Sequence, residues 1–212
     1  MDQNQKRQKP SRIAILISGR GSNMVALSDS IRNGVIANAE IVVVVSDKAD
    51  APGVNLARER GLNTLVIERK ARKREEHEAD VIDALQQCNV DLVCLAGYMR
   101  VLSHRFVETF PLRILNIHPS LLPSFAGLKP QLQALEHGVK LSGCTVHLVD
   151  DALDGGPIIA QRAVPVFDDD SEETLSARIL EQEHVLYAEA VNTIINNDYR
   201  VEARRVIIDR PQ

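Results

Sequence analysis

Asn116-Ile117-His118 closes an apolar run (ILNIH), and its two polar residues are of the types a developing oxyanion needs. A carboxamide N–H can stabilise negative charge on oxygen, and an imidazole can hold or move a proton near neutral pH. Alternate residues of an extended chain share a face, so Asn116 and His118 point together while Ile117 points away. Pro119 then ends the strand and opens a loop. Further along, Asp150 to Pro157 (DDALDGGP) supplies carboxylates beside two adjacent glycines. If Asp154 met His118 across a cleft, its charge would favour the imidazolium form. The bland readings are a structurally satisfied histidine in an apolar strand and an Asp/Gly surface turn. The acidic spacing does not follow an EF-hand loop, so no metal is expected there.

A second place for chemistry is Ser18-Gly19-Arg20-Gly21-Ser22-Asn23, between an apolar run and a helical pattern. Its glycines permit a tight turn and close approach of an anion to backbone N–H groups, with a helix N-terminus adding about half a positive charge. Ser22 or Asn23 could cap that helix or touch the anion. Met24 stands where the third glycine of a dinucleotide fingerprint belongs, although Asp47 after the second strand would suit a ribose. No Gly-Lys-Ser/Thr follows, so this is not a P-loop. A capped turn explains the run equally well; its place at a strand's carboxyl end favours phosphate.

Weaker features have ordinary explanations. Arg69 to Arg74 (RKARKR) precedes Glu75, Glu76 and Glu78, which reads as a solvated, charge-paired helix face. Cys144 reads as packing, and His147 could be core. His77, His104 and His137 are expected at the surface.

The elements that must hold these residues alternate in type. Ile13–Ser18, Ile41–Ser46, Thr64–Glu68, Asp91–Ala96 and Ile114–His118 read as strands. Between them lie helical patterns over Ser22–Asn33, Ala51–Arg60, Arg72–Gln87 and Ser103–Thr109, with Gly34 and Gly61 as stops. Strand–helix alternation implies an α/β, Rossmann-like doubly wound fold with a mostly parallel sheet. The second half changes style. A Pro/Gly loop over 119–130 leads to a helix ending near Gly138, and Thr145–Val149 with Ile158–Val166 reads as an antiparallel C-terminal edge. Ser171-Glu-Glu-Thr174 resembles a capping pattern opening a long helix to about Asn196, followed by a small strand or hairpin over Arg200–Ile208.

Composition narrows the class. A chain of 212 residues can bury roughly 70% of its unfolded surface without disulfides or metals. The 3% aromatic content predicts an aliphatic core of the kind a doubly covered parallel sheet requires. The net charge of −4 argues against general nucleic-acid binding, and no apolar stretch suits a membrane span. Cys88, Cys94 and Cys144 form neither a C-x-x-C pair nor a disulfide framework, which suggests a reducing, cytoplasmic setting. Residues 1–10 (MDQNQKRQKP) read as a disordered lead-in without signal character, and residues 11–212 as a single domain.

Several motifs taken in order resemble the folate-dependent formyltransferases. They are SGRGSN (Ser18–Asn23), AGYMRVL (Ala96–Leu102), NIHPSLLP (Asn116–Pro123), Gly127-Leu128, QALE (Gln133–Glu136), GCTVHLVD (Gly143–Asp150), LDGGP (Leu153–Pro157) and Gln161. The resemblance covers about residues 12 to 190. It implies the formyltransferase fold and direct attack of the glycinamide ribonucleotide amine on the formyl carbon of 10-formyltetrahydrofolate, a co-substrate, without a metal or covalent intermediate. By the same resemblance Asn116, His118 and Asp154 are the catalytic trio. Gly21, Ser22 and Asn23 cradle the phosphate and Glu183 meets the ribose. Arg74, Met99, Arg100, Val101, Leu102 and Asn116 contact the folate, and Thr145 is a hydroxyl residue near the site. The implied partners are small molecules, with no nucleic acid or membrane and a monomeric or homodimeric chain. Members that formylate a charged tRNA, or that deformylate the folate, carry additional domains for which this sequence leaves no room. Many members have His-x-His after Gly127-Leu128, where this chain has Lys129-Pro130-Gln131. That departure bears on loop closure or folate affinity rather than on the chemistry.

Overall fold

The computed structural model describes residues 9–209. The disordered lead-in expected over residues 1–10 therefore lies outside the described residues for positions 1–8. Among the described residues nine strands form one sheet in the order β3-β2-β1-β4-β5-β6-β7-β9-β8. The first five are β1 (Ser11–Ile17), β2 (Ala39–Ser46), β3 (Thr64–Val66), β4 (Leu92–Leu95) and β5 (Ile114–His118), all paired in parallel. They are connected by α1 (Ser22–Arg32), α2 (Pro52–Glu59), α3 (Arg74–Gln87) and α4 (His104–Thr109). β6 (Leu141–Leu148) runs antiparallel to β5, and β7 (Ile158–Pro165) antiparallel to β6. The expected mostly parallel sheet with an antiparallel C-terminal part is therefore found. α5 (Pro130–Glu136) precedes β6, α6 (Glu172–Asn196) follows β7, and β8 (Tyr199–Glu202) with β9 (Arg205–Ile208) closes the edge as a hairpin.

β1 shows why the run SRIAILI reads as continuously apolar. Ile13, Ile15 and Ile17 pack with Met24 and Leu27 of α1 and with α6, while Ala14 and Leu16 pack with Val81, Ile82 and Leu85 of α3 on the other face. A strand covered on both faces has no solvent side on which to place polar residues. Tyr187 of α6 is fully buried, and its hydroxyl lies 3.1 Å from the carbonyl oxygens of both Leu95 and Leu115. α6 begins as its sequence suggests: the Ser171 hydroxyl accepts from the Thr174 N–H at 3.2 Å.

Chain order reverses direction between β1 and β4, since β2 and β3 lie to one side and β5 to the other. A doubly wound sheet opens a crevice at the carboxyl ends of such a strand pair. The turn after β1 and the loop after β4 meet there. Ser18 N–H donates to the Gly97 carbonyl at 3.1 Å, and the Ser18 hydroxyl accepts from Met99 N–H at 2.9 Å.

Local expectations changed in three places. α1 is capped by Gly21 in a left-handed conformation (φ +78°), with no side-chain cap from Ser22 or Asn23. A Cβ on Gly21 would lie 2.8 Å from the Gly53 Cα, so the turn's backbone rests directly on the start of α2. His77 and Glu78, expected on a solvated face, are buried. His77 Nε2 lies 2.7 Å from the Ile67 carbonyl just after β3, and Glu78 accepts from Ser103 N–H at the end of the loop that follows β4, so α3 turns this side of its charged run inward. Arg72 precedes α3 and ion-pairs with Asp80 while donating to the Glu68 carbonyl.

Candidate active site

A cavity of about 490 Å³ lies at the carboxyl end of β4 and β5. The β4–α4 loop (97–102) forms one wall, Asn116 to Pro119 the floor, and residues 127–130 with 149–154 the opposite side. Met99, Val101, Leu128 and Leu153 remain exposed at its rim, an apolar surface suited to a flat ring.

Asn116, His118 and Asp154 all line this cavity. His118 Nδ1 lies 3.5 Å from Asp154 Oδ2, with side chains only 7% and 11% exposed. Asp154 is itself fixed: its backbone is left-handed (φ +50°), and its Oδ2 accepts from Gly127 N–H at 2.8 Å. The short, tight loop that presents it depends on Gly156, where a Cβ would fall 1.8 Å from the Leu148 carbonyl oxygen. On its other side His118 Nε2 lies 3.0 Å from the Phe125 carbonyl. Nε2 thus faces a carbonyl oxygen and Nδ1 a carboxylate oxygen.

His147 joins the group through strand register. β5 and β6 align Asn116 with His147 and His118 with Thr145. His147 Nδ1 lies 2.9 Å from the Leu148 carbonyl, so the proton belongs on Nδ1 and the bare Nε2 accepts from Asn116 Nδ2 at 3.1 Å. Burial lowers the His147 pKa below the ordinary 6.5, only partly offset by its bond to Leu148 and by nearby Asp154, so the ring stays neutral. Its acceptance fixes which way the Asn116 amide faces and leaves the second Nδ2 hydrogen for the cavity. From sequence alone His147 reads as possible core; only the antiparallel β5–β6 register reveals the contact.

Thr145 acts one step further back. Its hydroxyl donates to the Ser120 carbonyl at 2.7 Å and accepts from Leu122 N–H and Gln161 Nε2, each at 3.0 Å. Gln161 also donates to the Leu122 carbonyl at 2.8 Å. These bonds set the course of the loop that carries Phe125 to His118, and the Leu122–Pro123 peptide within it is cis. Cys144 is buried packing, its thiol pushed up to about 12 chiefly by burial.

The second group of expected site residues lies apart from this cavity lining. Asn23 Nδ2 donates to Glu183 Oε2 at 2.7 Å, joining α1 to α6 beside the Gly21 turn. Burial raises the Glu183 pKa, while the Asn23 bond and the charge of Arg20 oppose the rise. Asn23 Oδ1 is buried with no protein partner among the described residues. Arg74 is not brought to the cavity wall; its Nε donates to Glu78 Oε1 at 3.1 Å. Met99, Arg100, Val101 and Leu102 do line the cavity, and so do Lys129 and Pro130.

The Asp154 loop is also tethered from outside. His104 Nδ1 lies 2.9 Å from Asp151 Oδ2, and its Nε2 lies 3.1 Å from Glu108 Oε1. The Asp151 hydrogen bond first, then the charges of Asp151 and Glu108, raise the His104 pKa above 6.5. A raised folded-state value means the tether contributes fully below the unfolded pKa and is lost as pH rises through the folded one. We expect the His104 resonances to titrate with a midpoint above 6.5, moving back toward 6.5 when ionic strength screens this exposed cluster. An NMR titration in low and high salt checks it; a midpoint at or below 6.5 would remove the tether.

An open α/β sheet with a carboxamide, an imidazole and a carboxylate gathered at the carboxyl ends of its strands is the frame of a group-transfer enzyme. The chain belongs to the formyl transferase family, whose sequence profile matches residues 11–191. It is 45% identical over 176 residues to phosphoribosylglycinamide formyltransferase of Escherichia coli (strain K12), covering 82% of each chain. It is 46% identical over 191 residues to the trifunctional purine biosynthetic protein adenosine-3 of Drosophila melanogaster, covering 89% of this chain but 14% of that much longer protein. The crystal structure of glycinamide ribonucleotide transformylase 1 from Symbiobacterium toebii superposes with a TM-score of 0.91 at 49% identity, covering 94% of both chains.

Proposed function

We propose that this chain transfers the formyl group of 10-formyltetrahydrofolate to the amine of glycinamide ribonucleotide, giving formylglycinamide ribonucleotide and tetrahydrofolate in de novo purine synthesis. The observation that carries the reading is the meeting of Asn116, His118 and Asp154 beside an apolar-rimmed cavity, in a member of the formyl transferase family.

The amine nitrogen bonds to the formyl carbon, the carbonyl oxygen takes negative charge, and the bond to the folate nitrogen then breaks as a proton moves from the amine to that nitrogen. Asn116 offers the Nδ2 hydrogen that His147 does not use. His118 stabilises the same oxyanion as imidazolium, and Asp154 holds that cation in place. Because His118 Nε2 is engaged by the Phe125 carbonyl, its donation to substrate follows displacement of that carbonyl by the ligand. Such realignment on binding is common for catalytic groups. The proton reaches the leaving nitrogen through Asp154, directly or by way of water. No step needs a metal or an enzyme-bound formyl group.

Gly21, Ser22 and Asn23 take the nucleotide phosphate at the α1 N-terminus, and Glu183 takes the ribose hydroxyls. Met99, Arg100, Val101, Leu102 and Asn116 receive the pterin, and Arg74 keeps its terminal nitrogens for an acceptor on the folate. Lys129 and Pro130 replace the more usual histidine-bearing segment at the rim, where they bear on closure. The enzyme acts on small molecules in the cytoplasm as a monomer or homodimer, without nucleic acid or membrane.

Incubation with both substrates should release tetrahydrofolate and formylglycinamide ribonucleotide, each dependent on the other substrate. Absence of turnover across a wide concentration range would retire the reading. Formate released without the amine substrate would assign a hydrolase instead.

A further inference from the structure

Asp47 ends in the position after β2 where dinucleotide-binding folds keep a ribose-binding acid. Here it does something else. Its side chain is 1% exposed, and its Oδ2 accepts from Arg100 Nε at 2.6 Å across the crevice. Glu78 of α3 is the second buried acid on this side, with its side chain 6% exposed. Its Oε1 accepts from Ser103 N–H at 3.0 Å and from Arg74 Nε at 3.1 Å. The β4–α4 loop is thus fixed by Ser18 at Met99, by Asp47 at Arg100 and by Glu78 at Ser103.

Neither acid is fully satisfied: Asp47 Oδ1 and Glu78 Oε2 are buried with no hydrogen-bond partner among the described residues. Burying a half-paired carboxylate is costly, and a packed hydrocarbon would suit stability better. Each acid holds one arginine assigned to the folate by its Nε, which leaves that arginine's terminal nitrogens in a defined direction. Tyr98 between them is buried, and its phenol is pushed further toward the neutral form by burial and then by Asp47, against the pull of Arg100.

We propose that Asp47 and Glu78 are positioning residues for the folate: they aim Arg100 and Arg74 and set the backbone of 97–102, and neither touches a substrate. The inference rests on the functional reading above. Loss of a charge-assisted anchor in Asp47→Asn should raise the KM for 10-formyltetrahydrofolate, and the Kd for tetrahydrofolate held under nitrogen, about tenfold. The KM for glycinamide ribonucleotide should stay within about twofold and kcat within about threefold, because the anchor acts on binding of one substrate only. Adding Asp47→Asn to Arg100→Gln should bring little further loss, since both act through one contact.

Equal rises in both KM values, or additive losses in the double variant, would overturn the proposal, because a general loosening of the fold has no reason to select the folate. Should Asp47→Asn fail to fold, Glu78→Gln at the other end of the loop carries the same test. If the unsubstituted chain bound no tetrahydrofolate, the functional reading would fall and this inference with it. If it bound and Asp47→Asn bound equally well, only the inference would fall.

Discussion

His118→Ala is expected to lower kcat at least about a hundredfold, with the KM for either substrate changed far less. The side chain is 7% exposed and pressed between Asp154 and the Phe125 carbonyl, so its contribution falls on the charge that develops during attack. An interaction made only in the transition state shows in kcat when removed. The cavity left by the imidazole is lined in part by the polar loop, so thermal stability should fall modestly beside the loss of turnover. Steady-state kinetics with a melting curve on the same preparation separates the two effects. Turnover within a fewfold of the unsubstituted chain would remove His118 from the chemistry.

Asp154→Asn should reach a similar loss, at least about a hundredfold in kcat, although the two side chains are nearly the same size. The amide removes the negative charge 3.5 Å from His118 and 3.9 Å from His147, and it replaces one of the two acceptor oxygens by an NH2 donor. Gly127 N–H donates to the affected oxygen, so a rotated amide would also leave that backbone donor without its bond. Ligand binding should survive. Combined with His118→Ala, the effect should be close to that of the worse single change, because the pair works as a unit. Losses that multiplied would show that carboxylate and imidazole act separately.

Much of the frame was legible in the chain. The runs ILNIH and IVVVVS are apolar because both sheet faces are covered, and the element order follows from their alternation with helical patterns. The pairing of Asn116 and His118 on one face follows from strand geometry alone. The meeting of His118 with Asp154 does not, since it depends on β6 lying antiparallel beside β5 and on a left-handed residue inside a loop. His147 was ambiguous for the same reason: a histidine in an alternating strand shows its partner only once the register is known. Glu78 and His77 were misplaced because a run of charges does not reveal which side of its helix meets a neighbouring loop. Asp47 reads as a ribose acid from its place after β2, and nothing in the residues between it and Arg100 signals its reach across the crevice.

Gly53 lies in α2, outside the catalytic trio, and its Cα supports the turn that follows β1. A Cβ there would come within 2.8 Å of the Ile17 side chain, 2.9 Å of the Gly19 carbonyl and 3.0 Å of the Gly21 Cα. Position 53 should therefore tolerate variation as poorly as a residue that grips substrate. The source of that intolerance is two stretches of bare main chain with no room left between them, so a side chain at position 53 would be felt in the turn beside it without touching any ligand.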